Sequence, residues 1–77
     1  MSQAVARTLD LKGLSCPLPI VKTAQAIKEL ASGELVEALA TDPGSVADFI
    51  AWCTSTGNEL LEHTEEGGVF RFVIRKK

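Results

Sequence analysis

The sequence predicts an α/β fold, more narrowly an α+β two-layer sandwich of order βαβαββ, with two helices on one face of a mixed four-stranded sheet. Three observations lead to this prediction. Two segments have apolar residues at helical spacing, four segments have the apolar pattern of strands, and glycine or proline separates them. Because β-α-β crossovers are almost always right-handed, both helices reach the same face when the sheet progresses in one direction. A chain of 77 residues is expected to form one small domain, 1–77.

The four strands are predicted from alternation and from apolar content. The first alternates, the second is apolar almost throughout, as in a strand covered by helices, and the third is mixed. The fourth is the most apolar and aromatic, with Phe70, Phe72 and Ile74 on one face, which predicts a position inside the sheet. A hairpin loop is predicted at 65–68, because Gly67 and Gly68 can take positive φ. The predicted strands are 5–11, 35–40, 59–64 and 69–75.

The two helices are predicted from apolar spacing and from their boundary residues. The first covers about 17–31 and is expected to stop at Gly33. The second begins where Asp42 or Ser45 can serve as the cap, and it ends at Gly57. Its expected core-facing residues, at i, i+3, i+4 and i+7, are Val46, Phe49, Ile50 and Cys53.

Cys16 directly precedes the first predicted helix, in the sequence Cys16-Pro17-Leu18-Pro19. Proline is tolerated in the first turn of a helix, so this motif places Cys16 at or next to the N-cap. The helix dipole and free N–H groups favour an anion there, which predicts a lowered thiol pKa and a reactive cysteine. The alternative is a half-buried cysteine that only happens to precede a helix. In the predicted fold Cys16 lies just beyond the carboxyl end of the first strand, where open α/β sheets commonly place their sites.

Composition excludes several classes of function. A net charge of −2 and a pI near 5.2 argue against direct nucleic-acid binding. No apolar run approaches the roughly 18 residues of a membrane span, and residues 1–7 have no signal-peptide pattern. A cytoplasmic location, where thiols stay reduced, is therefore expected. Cys16, Cys53 and His63 lack the spacing of metal ligands, so no metal site is expected.

The Cys-Pro-x-Pro motif is part of a set of residues that covers almost the whole chain. The set is Leu9-Asp10, Gly13-Leu14-Ser15-Cys16-Pro17-Leu18-Pro19, Lys22, Ala24, Thr41-Asp42-Pro43, Cys53 and Thr56-Gly57-Asn58-Glu59-Leu60. Together these residues resemble the TusA-like (SirA-like) family of small sulfur-carrier proteins. The resemblance implies a βαβαββ fold like that of the C-terminal domain of translation initiation factor three.

The resemblance also implies a function, that of a carrier rather than a stand-alone enzyme. Cys16 would accept sulfane sulfur as a persulfide from a donor such as a cysteine desulfurase or a rhodanese-like protein, and pass it to an acceptor protein. No cofactor is implied, and a monomer that forms transient complexes is expected. Lys22 is a candidate for partner docking or simply a solubilising lysine. The residues expected to support the thiol are Gly13, Ser15, Pro17, Leu18 and Pro19.

Two positions depart from the pattern of family members that serve transfer-RNA thiolation, which typically read Arg-Cys-Pro-Glu-Pro. This chain has Ser15 and Leu18 in place of the arginine and the glutamate, so the surface around the thiol is more apolar. Sulfur oxidation and cofactor assembly therefore stay open as pathways beside transfer-RNA thiolation.

Two other functions remain open from the residues themselves. One is a non-catalytic regulatory or adaptor module that docks through the Cys16-Pro17-Leu18-Pro19 surface. The other is a thiol–disulfide protein, which would need reversible bonding between Cys16 and Cys53. Cys53 is expected to be a packing residue instead, since free cysteines are often buried. Trp52 is expected at the core edge, and His63 on a partly exposed strand.

Overall fold

The computed structural model has its strands and helices in the predicted order, and it describes residues 5–77. The signal-peptide prediction for residues 1–7 falls partly on residues 1–4, which lie outside the described residues. The described elements are β1 (Val5–Asp10), α1 (Leu18–Ile27), β2 (Leu35–Ala40), α2 (Ser45–Thr56), β3 (Glu59–Glu66) and β4 (Val69–Arg75).

Within residues 5–77 the four strands form one mixed sheet in the order β1-β2-β4-β3. β1 and β2 are parallel, whereas β4 is antiparallel to both of its neighbours. The predicted α+β fold is confirmed, as is the interior position of the last strand. Since β2 and β3 both run antiparallel to β4, the carboxyl ends of β1, β2 and β3 lie at the same edge of the sheet, and both helices begin there.

The core lies between the helices and the sheet face that they cover. The ring of Phe49 on α2 stacks on that of Phe72 on β4, with 4.3 Å between centroids. The other fully buried apolar residues on this face include Val36, Ala38, Ala40 and Ile74. For α2, the prediction that Ile50 faces the core is wrong, because Ile50 is 44% exposed. It lies 100° around the helix from Phe49, beyond the part of α2 that meets the sheet.

α1 is shorter than predicted, because it ends at Ile27 instead of continuing to about residue 31. The following turns tighten to i→i−3 hydrogen bonds, such as Leu30 N–H to the Ile27 carbonyl at 3.2 Å. The distant C-terminal segment holds this end: Lys76 Nζ donates to the Leu30 carbonyl at 2.6 Å, and the Gly33 N–H donates to the Lys76 carbonyl at 2.8 Å. Leu30 nevertheless stays buried.

The start of α2 also differs from the prediction, whereas its end does not. Neither Asp42 nor Ser45 caps the helix with its side chain, and the N-cap is Gly44. Asp42 Oδ1 instead accepts a hydrogen bond from the Gly44 N–H at 3.1 Å. The other oxygen, Oδ2, accepts one from the Cys16 N–H. At the other end, Gly57 has φ +82° and donates to the Cys53 carbonyl at 2.9 Å, which confirms the predicted stop.

The hairpin between β3 and β4 is tighter than predicted. β3 continues to Glu66, which pairs with Val69, so the loop is only Gly67 and Gly68. Both glycines have positive φ, +59° and +82°, as a two-residue turn between twisted strands requires. No helix in the part of the chain described is long and apolar enough to cross a membrane.

Candidate functional site

Cys16 lies in the exposed turn between β1 and α1, one residue before the N-cap, Pro17. The predicted position next to the N-cap is confirmed. The turn is closed by the Leu18 N–H, which donates to the Ser15 carbonyl at 2.9 Å, and by the first helical bond, Val21 N–H to the Pro17 carbonyl at 3.0 Å. The Cys16–Pro17 peptide bond is cis.

Two hydrogen bonds fasten this turn to the loop that follows β2. The Cys16 N–H donates to Asp42 Oδ2 at 2.7 Å, and the Gly13 N–H donates to Thr41 Oγ1 at 2.9 Å. Gly13 has φ +86°, a conformation that side-chain-bearing residues rarely adopt. These bonds are possible because β1 and β2 are parallel neighbours, so the loops at their carboxyl ends are adjacent. The backbone that carries the thiol is therefore held at two points, Gly13 and Cys16, by the loop after β2.

Two carboxylates lie beside the thiol. Asp48, in the first turn of α2, is close enough for its carboxylate to act on the Cys16 thiol, and Asp42 accepts a hydrogen bond from the Cys16 backbone. Their side chains approach one another over Gly44: a Cβ at that residue would lie 3.8 Å from Asp42 Oδ1 and 3.9 Å from Asp48 Oδ2. The thiol thus lies at an acidic surface to which three chain segments contribute.

The carboxylates raise the pKa of Cys16 above its ordinary value. The hydrogen bond with Asp48 is the largest cause, followed by partial desolvation and by the negative charges of Asp48 and Asp42. The prediction of a lowered pKa is therefore wrong. Pro17 and Pro19 have no N–H groups to offer a thiolate at the start of α1, and two nearby negative charges disfavour a third.

The remaining predicted supporting residues divide into exposed and buried ones. Ser15 and Pro17 are exposed, whereas Pro19, in the first turn of α1, is buried. The exposed apolar residues nearest in sequence are Leu18 and Val21, which are 45% and 41% exposed. The surface around the thiol consequently combines apolar side chains with acidic ones.

Lys22 belongs to a different feature, an open groove of about 370 Å³ between β1 and α1. Arg7 and Glu29 form an ion pair of 2.8 Å among its lining residues, and Cys16 is not among them. The groove is lined by Arg7, Thr8, Leu9, Asp10, Leu11, Lys22, Gln25, Ala26 and Glu29.

The other residues of chemical interest do not join Cys16. Cys53 is 4% exposed, and burial raises the pKa of its thiol to about 11, so the predicted packing position is confirmed. Trp52 packs edge-on against Phe49, 6.4 Å between centroids, at the core edge as expected. His63 is exposed on β3 near the Phe72 ring. Both cysteines are free, and no group of potential metal ligands occurs within residues 5–77.

Sequence reasoning missed Asp48 as a neighbour of the thiol. One signal could have indicated it: in the predicted topology both helices begin at the same edge of the sheet, so a charged residue in the first turn of α2 can approach the turn before α1. The identity of the contacting residue required the structure.

Comparison with known proteins agrees with this geometry. The family model described as "Sulfurtransferase TusA" matches residues 7–76. The "Sulfur carrier protein TusA" of Allochromatium vinosum is 52% identical over 68 residues, which cover 88% of this chain and 90% of that protein. The "Putative sulfur carrier protein YrkI" of Bacillus subtilis is 50% identical over 91% of this chain and 93% of its own length.

A solved structure supports the same assignment. The crystal structure of a SirA-like protein from Desulfitobacterium hafniense has a TM-score of 0.80 at 25% identity, over 90% of this chain and 95% of that one. With the family model spanning nearly all of the described residues and two relatives at half identity, the chain belongs to the TusA family.

Proposed function

We propose that this protein is a sulfur carrier that accepts sulfane sulfur as a persulfide on Cys16 and relays it to an acceptor protein. Membership of the TusA family supports the carrier role. The observation that supports Cys16 as the carrying residue is its exposure on a turn fixed by hydrogen bonds from the neighbouring loop, whereas the other thiol is buried.

The proposed chemistry is a thiol exchange without net oxidation. The Cys16 sulfur attacks the outer sulfur of a donor persulfide and forms a new S–S bond. The donor's own S–S bond breaks, and its electron pair leaves on the donor sulfur, which takes up the proton that Cys16 loses. Delivery to an acceptor thiol repeats these steps with Cys16 as the leaving group. An exposed thiol on a fixed turn suits such exchange, because both partners must approach it closely.

The supporting residues of this proposal are those of the turn. Gly13, Ser15 and Pro17 shape the backbone that presents the thiol, the buried Pro19 anchors it in the first turn of α1, and Leu18 offers apolar contact to a partner. Lys22 is proposed as a peripheral docking residue.

The wider setting of the carrier is part of the same proposal. The donor would be a cysteine desulfurase or a rhodanese-like protein, and the acceptor another protein with a reactive thiol. We infer a single domain, 1–77, that acts as a monomer in the cytoplasm and meets its partners transiently. A net charge of −2 favours protein partners over direct nucleic-acid binding.

The test is intact mass of the reduced protein after incubation with a cysteine desulfurase and L-cysteine, followed by peptide mapping. We expect added sulfur on Cys16, removable by reductant and absent in Cys16→Ser. Cys53→Ser is the matched control and should load like the wild type. Sulfur on Cys53, or no sulfur with this donor and with a rhodanese and thiosulfate, would overturn the proposal.

A second candidate function, the adaptor module, is favoured by the exposure of Leu18 next to the cysteine. Leu18→Asp would then abolish partner binding while Cys16→Ser leaves the biological effect intact. The matched control is Ile50→Asp, because Ile50 is about as exposed as Leu18 but points away from Cys16. It lies 200° around α2 from Asp48, the residue of that helix nearest the thiol. Loss of the biological effect in Cys16→Ser would exclude the adaptor function.

A further inference from the structure

β1 is an edge strand of the sheet, and its outer edge is open. Among the strands of residues 5–77 it pairs with β2 alone. The Leu11 N–H, which continues this pairing beyond β1, donates to the Leu39 carbonyl at 2.8 Å. Since the backbone groups of successive strand residues point alternately to its two sides, those of Thr8 and Asp10 face away from β2. The open edge therefore offers backbone donors and acceptors to an extended chain.

The groove of about 370 Å³ between β1 and α1 lies along this edge. Its lining includes apolar side chains, among them the buried Leu11 and Ala26. A strand added to β1 would lie about 4.8 Å from it, and alternate side chains of that strand would enter the groove beside α1. Open space, apolar surface and available backbone groups therefore occur at one place.

The charges of the groove favour an acidic occupant. Lys22 is the only charged residue of α1, and its side chain forms no ion pair within the described part of the chain. The other charged lining residues have partners. Arg7 pairs with Glu29 at 2.8 Å, and Asp10 lies 3.9 Å from Lys12. One cation of the groove is thus available to a carboxylate.

The opposite edge strand, β3, differs from β1 in charge and in regularity. Its pairing with β4 shifts register between Leu60 and Glu62, whereas β1 is regular from Arg7 to Asp10. Bulges and rows of charge protect sheet edges from pairing. β3 also has four glutamates, which would repel an acidic strand: Glu59, Glu62, Glu65 and Glu66.

We propose that the groove binds an extended acidic segment of a partner protein, which adds to β1 as a fifth strand of the sheet. Backbone hydrogen bonds to Thr8 and Asp10 hold the segment, as in other cases of strand addition. An apolar side chain of the segment packs beside Ala26, and an aspartate or glutamate on the same face of the segment pairs with Lys22. This inference goes beyond the sulfur-carrier function, because Cys16 is not part of the groove.

A segment bound to β1 would keep its protein close to Cys16. Only residues 11–15 separate the end of β1 from Cys16, so the carboxyl end of the groove and the thiol lie at the same edge of the sheet. Such a tether raises the effective concentration of the partner's reactive group at the thiol. This consequence rests on the sulfur-carrier function proposed above, whereas binding of the segment does not.

The first test follows backbone amides by NMR. In the free protein the N–H groups of Thr8 and Asp10 should exchange with solvent much faster than those of Leu9 and Leu11. The probes are two blocked peptides, Glu-Thr-Val-Thr-Val-Thr and its reverse, which cover both strand directions. At millimolar concentration one of them should shift the Thr8 and Asp10 signals and slow their exchange.

Two outcomes of this test would overturn the inference. One is the absence of any shift or protection at Thr8 and Asp10 with either peptide. The other is protection of both amides in the free protein together with a dimer in sedimentation, because a second copy of the chain would then occupy the edge.

The second test reverses the charge of Lys22. Lys22→Glu should bind the glutamate peptide several-fold more weakly than the parent does, and it should prefer the same peptide with lysine in place of glutamate. Lys28→Glu is the matched control, since Lys28 follows α1 directly but does not line the groove. It should bind both peptides as the parent does. An unchanged preference in Lys22→Glu would overturn the inference.

The third test blocks the edge itself. Thr8→Pro removes an N–H that faces away from β2, so the pairing of β1 with β2 keeps its hydrogen bonds. Thr8→Val is the control, because it loses only the hydroxyl that donates to Glu37 Oε1 at 3.0 Å. Peptide binding should be lost in Thr8→Pro and kept in Thr8→Val, with thermal melts to establish that both are folded. Equal binding by the two folded variants would overturn the inference.

These measurements separate the groove from the sulfur-carrier function. Cys16→Ser cannot carry sulfur on this residue, yet it should bind the peptide as the parent does. Failure of sulfur loading with normal peptide binding contradicts only the carrier function. Normal sulfur loading without peptide binding contradicts only the inference about the groove.

Discussion

Cys16 and Cys53 carry the same thiol in two opposite environments. Cys16 is exposed in the turn before α1, and Cys53 is 4% exposed on the core-facing side of α2. Both have a raised pKa, but for different reasons: carboxylates, chiefly Asp48, act on Cys16, whereas burial acts on Cys53.

Both thiol pKa values are raised, but only one of the two causes depends on the core staying closed. Burial of Cys53 ends only when the core opens, so in the folded protein its thiol stays protonated at pH values well below its pKa of about 11. The carboxylates beside Cys16 act on an exposed thiol at the surface, so removing their charge does not require the core to open. One cysteine is consequently a packing residue, and the other is a thiol that another molecule can reach in the folded protein.

The largest expected difference between the two cysteines is in alkylation. Iodoacetamide should modify Cys16 in the native protein and Cys53 only through unfolding. With a stability of about 5 kcal/mol or more, Cys53 should react at least about a thousand-fold more slowly. Peptide mapping against time, with and without denaturant, checks this. Comparable rates in the native protein would contradict the burial of Cys53.

The second expected difference is in stability. Cys53→Ser places a hydroxyl in an apolar core and should lower the free energy of unfolding by about 1–3 kcal/mol. Cys16→Ser changes an exposed side chain and should leave the urea midpoint unchanged. Urea titration of both variants tests the contrast, and a shifted midpoint in Cys16→Ser would show that the exposed thiol also supports the fold.

A third prediction concerns what holds the Cys16 turn in place. Asp42→Ala removes the acceptor of the Cys16 and Gly44 N–H groups and should destabilise the protein by about 1–2 kcal/mol. Asp10→Ala, which removes one hydrogen bond from the Lys12 N–H, is the control. Its free energy of unfolding should stay within about 0.5 kcal/mol of the wild-type value. Equal losses in the two variants would mean that the turn does not depend on the loop after β2.

The smallest expected effect is at alkaline pH. Burial raises the pKa of Cys53 from 9.0 to about 11, so this thiol contributes stability that is complete below pH 9 and is lost as pH rises towards 11. By linkage the loss is about 1 kcal/mol at pH 10. The chain has no tyrosine, whose titration would overlap. The urea midpoints at pH 8 and pH 10 should differ less in Cys53→Ala than in the wild type. An equal decline in both proteins would mean that other groups cause the loss of stability.

Local sequence patterns were sufficient to predict the order of elements, the position of Cys16 next to a helix start and the burial of Cys53. These features depend on residues within a turn or two of one another: proline at a helix start, glycine at its end, apolar residues at i, i+3 and i+4. The exposed Ile50 marks the limit of such reasoning, since periodicity identifies an apolar stripe but not how much of it the sheet covers.

Only the tertiary structure decided the electrostatics of the thiol and the end of α1. Asp42 acts on Cys16 from 26 residues along the chain, and Lys76 holds the Leu30 carbonyl from 46 residues away. Local pattern predicted a lowered pKa for Cys16, but parallel pairing of β1 and β2 brings the start of α2 and its carboxylates to the same edge. A charge acts through space, so the pKa of this cysteine depends on which loops the sheet makes neighbours.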